Sequence, residues 1–359
     1  MFKSPRFWIG LAATTLFLFL FFYFFAGNFR EMADAFKHAN YAYIIPAIAL
    51  YFIAVWFRTL RWQQLIEPLG KFTVKRLFPV VVVGYMANNL LPARLGELVR
   101  AYYMREKENI SASATLATIV LERVFDGLAL LLFIAVVFIC LPMTGVSGLG
   151  SKDAPMLLRA IPAIVTALAF IVALGFLTLF ALNPRAGRAV ANAIARIAPG
   201  RFRSRVQELV ELFIGGLSAL RSPKRQLGVL ALSLPVWLFE GGMYVMIGFS
   251  FGLDSLMSSW AFVLTVLLLV TAAANLALTL PSSPGGVGPF ELLAAASLVL
   301  VGVDNDLAAS YALGLHVVLL VPVTLLGLFY WWKQSYSLAK LTNAGKSSEQ
   351  PVPQRKDSV

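Results

Sequence analysis

Hydrophobic positions along this chain fall into long unbroken runs separated by short polar connections. Six runs, about Trp8 to Ala26, Tyr41 to Phe57, Ser113 to Leu141, Met156 to Leu182, Leu227 to Phe249 and Leu307 to Trp332, have roughly the length or more that crossing a bilayer core of about 30 Å requires. Two further apolar stretches differ. Leu77 to Leu91 is about 15 residues, roughly 22 Å as a helix, then meets a polar break, and Leu98 to Met104 follows it. Trp260 to Leu280 meets a second break, and Phe290 to Val303 returns for only about 14 residues before Asp304, Asn305 and Asp306. The pattern predicts an all-α, polytopic transmembrane helix bundle of about six full spans and two re-entrant broken-helix hairpins, 77–104 and 260–303.

The two breaks share a layout. The first runs Asn88-Asn89-Leu90-Leu91-Pro92-Ala93-Arg94-Leu95-Gly96-Glu97. The second runs from Asn275 through Leu280-Pro281-Ser282-Ser283-Pro284-Gly285-Gly286-Val287-Gly288-Pro289-Phe290-Glu291. Each passes from Asn through apolar residues to Leu-Pro, then a turn containing Gly, then Glu at a helix start. Proline lacks a backbone donor and glycine opens turns closed to other residues, so a continuous helix is excluded in both places. In lipid a broken backbone survives only where protein or a water-filled cavity satisfies it, and paired broken helices mark transporter binding sites. The competing reading is two ordinary loops at the membrane surface.

Composition changes the picture in a few respects. Of 359 residues, 59% are hydrophobic and 13% charged, too apolar for a soluble chain of this length to hide. One cysteine, Cys140, excludes an internal disulfide and a cysteine-based zinc site; two histidines, His38 and His316, argue against a histidine-rich metal site. No metal, no other cofactor and no nucleic-acid partner is expected. The net charge of +12 reads instead as topology, because Lys and Arg collect in cytoplasmic loops.

Lys3 and Arg6 place the N-terminus inside, and the long first run without a small-residue cleavage site reads as an uncleaved anchor. The loop Asn28 to Asn40 is charge-balanced and suits the outside. The second span delivers Arg58, Arg61, Lys71, Lys75 and Arg76 to the cytoplasm, with Trp56 and Trp62 at the interface. Followed through, the counts bring the first hairpin in from the cytoplasm and the second from outside, an inverted pair. The expected organisation is a first transmembrane half, 1–182; a basic cytoplasmic amphipathic segment, 183–226; a second half, 227–335; and a disordered cytoplasmic tail, 336–359. In the basic segment Val206, Leu209, Val210, Phe213, Ile214, Leu217 and Leu220 make one apolar stripe. That helix lies on anionic inner-leaflet lipids, packs on the bundle as a linker, or does both. The charge bias and simple tail fit a bacterial plasma membrane with both termini cytoplasmic.

Charge at membrane depth is the second signal, since such groups are costly and face a cavity or a partner. Glu122 and Asp126 share a face of the third span at i, i+4, and Arg123 reaches Asp126 at i, i+3. Either the cluster neutralises itself and locks helices together, or Arg123 binds an anionic head group while the carboxylates orient it or carry protons. Arg94 sits within the first break, before Glu97 and Arg100, where a guanidinium beside a helix start suits a phosphate; alternatively it caps helix carbonyls or snorkels. Glu240, alone in mid-span, bonds a neighbouring helix or couples protons. Glu291 favours the helix start after the second break. His316 reads as a satisfied core histidine.

No Walker loop, His-Glu-x-x-His or Gly-x-Ser-x-Gly occurs. Taken together, Leu91-Pro92-Ala93-Arg94-Leu95-Gly96-Glu97, Glu122-Arg123-Val124-Phe125-Asp126 and Pro281 to Glu291 resemble the lysylphosphatidylglycerol synthase transmembrane-region family, in that family's order and over about residues 8–335. The resemblance implies flippase-like handling of lipid. In the namesake synthases the membrane region is linked to moving aminoacylated phospholipid between leaflets, while a separate soluble domain, to which the resemblance does not extend, attaches the amino acid. It implies no particular lipid. By motif match the substrate-binding candidates are Arg94, Glu97, Glu122, Arg123, Asp126, Pro281, Gly285, Gly286, Gly288 and Glu291. The expected function is translocation of a polar or anionic membrane lipid, with its head group in a cavity between the hairpins. The alternatives are a membrane-embedded transferase acting on a lipid-linked substrate and a non-catalytic subunit of a lipid-synthesis complex.

Overall fold

A computed structural model describes residues 5–25, 27–91, 95–140, 156–197, 203, 207, 211, 213–217, 220–256, 259–278 and 284–333. Arg94, Pro281 and the tail from residue 334 lie outside the described residues, as does much of the basic segment, including Val206, Leu209 and Val210. The described residues are helical apart from short connections, in the order α1 (Pro5–Phe25), α2 (Phe29–His38), α3 (Ile44–Ile66), α4 (Val74–Leu90), α5 (Gly96–Glu108), α6 (Ala112–Cys140), α7 (Met156–Leu182), α8 (Pro184–Ile197), α9 (Pro223–Ser250), α10 (Trp260–Ala277), α11 (Pro289–Val299) and α12 (Asn305–Lys333).

Among the described residues six helical stretches are long and apolar enough to cross a membrane: Tyr41–Leu69, Ala112–Cys140, Ile164–Leu182, Pro223–Ser250, Trp260–Ala277 and Asn305–Lys333. Helix α1 and α2, bent by 85° at their junction, make a seventh when taken as one span. The protein is an all-α, multi-pass integral membrane protein. Helix α10, read from the sequence as the entering leg of a re-entrant hairpin, is itself long enough for a full crossing.

The two halves of the chain interleave. Helix α3 lies along α9, α4 along α12, α6 against α10, and α1 against α11. Large side chains fill the seams: Trp62, Phe125, Tyr244, Phe290 and Tyr311 are fully buried. By contrast α7 turns Ile164, Leu168, Ile171 and Phe176 outward, as expected of a helix whose solvent is lipid.

Three sequence expectations are corrected here. The stretch Asn28 to Asn40 is a helix, not a loop. Asn28 accepts from the Arg30 amide as its N-cap, Lys37 pairs with Asp34 one turn earlier, and buried Met32 supplies an apolar foot. The second span does not release Arg58 and Arg61 to the cytoplasm. With Pro46 and Pro68 the nearest helix breakers on either side, α3 continues through both arginines to Ile66, and both are buried. Trp62 likewise sits in the core rather than at an interface, donating from Nε1 to Thr118 Oγ1 at 3.0 Å.

Candidate functional site

The described flanks of each break are held by polar contacts. At the first, Leu91 closes α4 by donating to the Ala87 carbonyl at 2.8 Å. Asn88 reaches across the gap, and its Oδ1 accepts from the Gly96 amide at 2.8 Å, giving an orphan donor at the start of α5 a partner. Asn89 ties the same end to α12, donating from Nδ2 to Thr324 Oγ1 at 2.9 Å. The hairpin can fold this tightly because Gly84 faces Gly96. A Cβ on Gly96 would collide with the Gly84 carbonyl, and one on Gly84 would lie 2.6 Å from Arg100 Cδ. Small residues let the helices approach and leave room for the Arg100 stem.

At the second break Gly285, Gly286 and Gly288 adopt φ of 75°, 78° and 102°, a region L side chains rarely enter. Glu291 Oε2 accepts from the Gly288 amide at 2.7 Å, capping α11. Its Oε1 lies 2.6 Å from His316 Nδ1, and His316 Nε2 lies 3.0 Å from the Gly285 carbonyl oxygen. Thr14 of α1 donates to the Val287 carbonyl at 3.2 Å. The two breaks meet: the turn Pro284–Gly286 packs on α4, and a Cβ on Gly285 would lie 3.8 Å from the Asn89 carbonyl oxygen.

Beside the first break, four helices converge in a charge network. Arg58 and Arg61 share one face of α3, and Glu122 and Asp126 share one face of α6. Arg58 donates to Glu240 of α9 at 2.5 Å and faces Asp126 at 3.4 Å. Arg61 donates to Asp126 at 2.8 Å and to Ser233 at 2.9 Å. Arg100 of α5 donates to Glu122 at 2.8 Å. These six side chains are buried, and their charges cancel. Aromatic faces complete the lining: the Arg100 guanidinium lies 4.1 Å from the centre of the Trp62 ring, and that of Arg58 lies 4.6 Å from Trp237.

Arg123 completes the network differently. Its Nη2 donates to Glu122 at 3.1 Å, its Nη1 is 3.3 Å from Asp126, and its Nε is 3.7 Å from Glu97 at the start of α5. Yet 37% of its side chain is exposed. Glu97, Glu122, Arg123 and Asp126, singled out in the sequence, are therefore brought together. Glu240, read as lone, joins them through Arg58. Gly285, Gly286, Gly288 and Glu291 gather at the second break. Arg58 and Arg61 were missed, although their i, i+3 spacing continues the buried stripe Tyr51, Ala54, Val55 of α3 and was readable as one face. A cleft of about 220 Å³ between Leu65, Leu69, Ala117, Thr118 and Gly216 includes none of the network's charges.

Among the described residues one carboxylate group, Glu31, Asp304 and Asp306, has oxygens within 4.8 Å of one another. These carboxylates also serve the local structure: Asp306 Oδ1 accepts from the Asn28 amide and so links α12 to the start of α2, Asp304 Oδ1 accepts from the Asp306 amide, and Glu31 Oε1 accepts from Asn28 Nδ2.

Fold and site define a polytopic helical membrane protein in which two broken helices meet beside a neutral, buried network of ion pairs. Residues 7–327 match the family described as the lysylphosphatidylglycerol synthase transmembrane region, and the chain belongs to that family. It is 28% identical over 278 residues to the glycosyltransferase AglD of Haloferax volcanii, a match covering 73% of this chain but only 44% of that relative. It is 27% identical over 292 residues to a UPF0104 membrane protein of Methanothermobacter thermautotrophicus, covering 78% and 82% of the two chains. A UPF0104 membrane protein of Pyrococcus horikoshii is 24% identical over 303 residues, covering 80% and 86%.

Proposed function

We propose that the protein binds a polar or anionic membrane lipid at Arg123 and moves it between leaflets by shifting one broken hairpin against the other. The supporting observation is Arg123 itself. It lies about three turns into α6, a depth of roughly 16 Å along the helix, yet over a third of its side chain is exposed. A guanidinium at that depth is tolerated where it meets a polar cavity or an anionic group. Its three acidic neighbours hold it in place, and a phosphate or similar head group fits its planar fork. Arg94, in the sequence of the first break just ahead of α5, would add a second cation. The buried carboxylates balance charge. The basic stretch 185–225 would rest on anionic lipids of the inner leaflet, with both termini cytoplasmic in a plasma membrane.

The test begins with lipid mass spectrometry on the protein in native-lipid particles, comparing wild type, Arg94→Ala and Arg123→Ala. One polar lipid should be enriched with wild type and lost from the variants. That lipid, labelled and reconstituted into liposomes with the protein, should change leaflet faster than in protein-free liposomes. Absence of enrichment, or enrichment indifferent to both arginines, overturns the reading. The glycosyltransferase name of one relative favours a second reading, a membrane-embedded transferase acting on a lipid-linked substrate. It is separated in the same liposomes, because a transferase changes the mass of the lipid whereas a translocator changes only its leaflet.

A further inference from the structure

We infer that Glu291 and His316 together form a proton-binding site, and that the bound proton holds the turn of the second break against α12. The inference goes beyond the lipid reading and does not rest on it. A neutral imidazole offers one donor and one acceptor. Here both ring nitrogens face oxygens, Nδ1 the Glu291 carboxyl at 2.6 Å and Nε2 the Gly285 carbonyl at 3.0 Å. The other Glu291 oxygen accepts from the Gly288 amide. These three hydrogen bonds form together only if the pair carries one proton more than a carboxylate and a neutral ring. Whether that proton rides on the ring or on the carboxyl, the arrangement is the same.

Removing it leaves a ring lone pair opposite an oxygen in a buried, apolar setting, where an unpartnered acceptor is most costly. Both side chains are 4% exposed, and the Phe290 ring stacks on His316 at 4.3 Å. What the proton holds is specific. The turn's Gly285 carbonyl is bonded to α12 through His316, while the Gly288 amide is held by Glu291. Several of the ionisable groups on the surrounding helices have their own partners. Tyr311 on α12 donates to the Tyr244 carbonyl, and the Tyr244 hydroxyl of α9 accepts from Asn275. Arg58 on α3 pairs with Glu240 on α9, and Asp306, at the α2 end of α12, accepts from Asn28. Helices α3, α4 and α1 also carry the phenols Tyr51, Tyr85 and Tyr23, and α10 has no ionisable side chain.

Hydrogen exchange of the segment 284–291 tests this in the full chain reconstituted in lipid nanodiscs, corrected for the intrinsic pH dependence of exchange. In wild type, protection should be present at acidic pH and lost in a one-proton step as pH rises. Glu291→Gln should remain protected throughout. Its amide NH₂ donates to the ring, its carbonyl accepts from Gly288, and the ring still donates to Gly285, so the three bonds persist without a titrating proton. His316→Leu should be unprotected at every pH. The same pH course in wild type and Glu291→Gln, or an unprotected Glu291→Gln, overturns the inference. Should the amide variant fail to fold, ¹⁵N resonances of His316 in a His38→Gln background decide. They should change in step with loss of protection, and ring signals constant through that transition overturn the proposal.

Discussion

Arg58 and Glu240 stand 182 positions apart in the sequence and 2.5 Å apart in space. Their contact joins α3 of the first half to α9 of the second with both charges buried. Removing one member of such a pair leaves an uncompensated charge. Glu240→Leu is expected to cost about 3–5 kcal/mol, whereas Arg58→Met combined with Glu240→Leu should cost clearly less than the sum of the two single changes. Thermal unfolding of the purified variants in one detergent checks this.

Gly96→Ala should push α5 off α4, because the new Cβ overlaps the Gly84 carbonyl. A cost of about 1–3 kcal/mol is expected from overpacking. Gly175→Ala is the control: nothing lies within 4 Å of its added Cβ, and alanine is the better helix former by about 1 kcal/mol. The two variants should therefore shift the melting temperature in opposite directions.

Asn88→Ala removes the only side-chain acceptor found for the Gly96 amide among the described residues. Loss of a cap of this kind costs about 0.5–2 kcal/mol. The sharper readout is local, with faster hydrogen exchange in the first turn of α5 and unchanged exchange in α11.

Two arginines of the network should separate by phenotype. Arg123→Gln, at the open position, should leave the melting temperature near wild type and slow lipid translocation by roughly tenfold or more, the scale of one charged hydrogen bond. Arg100→Gln, buried against Glu122 and Trp62, should instead lower the yield of folded protein. Melting curves and initial translocation rates on the same preparations distinguish the two.

The sequence made the breaks legible because they rest on local chemistry. Pro and Gly forbid a continuous helix wherever they fall, and Gly285, Gly286 and Gly288 do take the left-handed backbone their type permits. Glu122, Arg123 and Asp126 were legible for the same reason, being spaced on a single helix. What the sequence concealed depends on pairing at long range. Arg58 and Arg61 carry the residue type that elsewhere marks a cytoplasmic loop, and only Asp126, Glu122 and Glu240, far along the chain, make their burial affordable. Positive charge near the end of an apolar run has two meanings, and local pattern does not separate them. Likewise His316 reads as a core histidine until Gly285 is seen opposite its second nitrogen.

The distribution of the ion network along the chain also dictates an order of assembly during synthesis. When α3 leaves the ribosome, Arg58 and Arg61 have none of the network's acids to meet. Glu122 and Asp126 arrive with α6, and Glu240 only with α9. Until then both guanidinium groups are expected to reach water along their own stems, which would hold α3 near the membrane surface. It would settle to its final depth once the later helices deliver their carboxylates, so insertion is expected to finish well after the second span has been made.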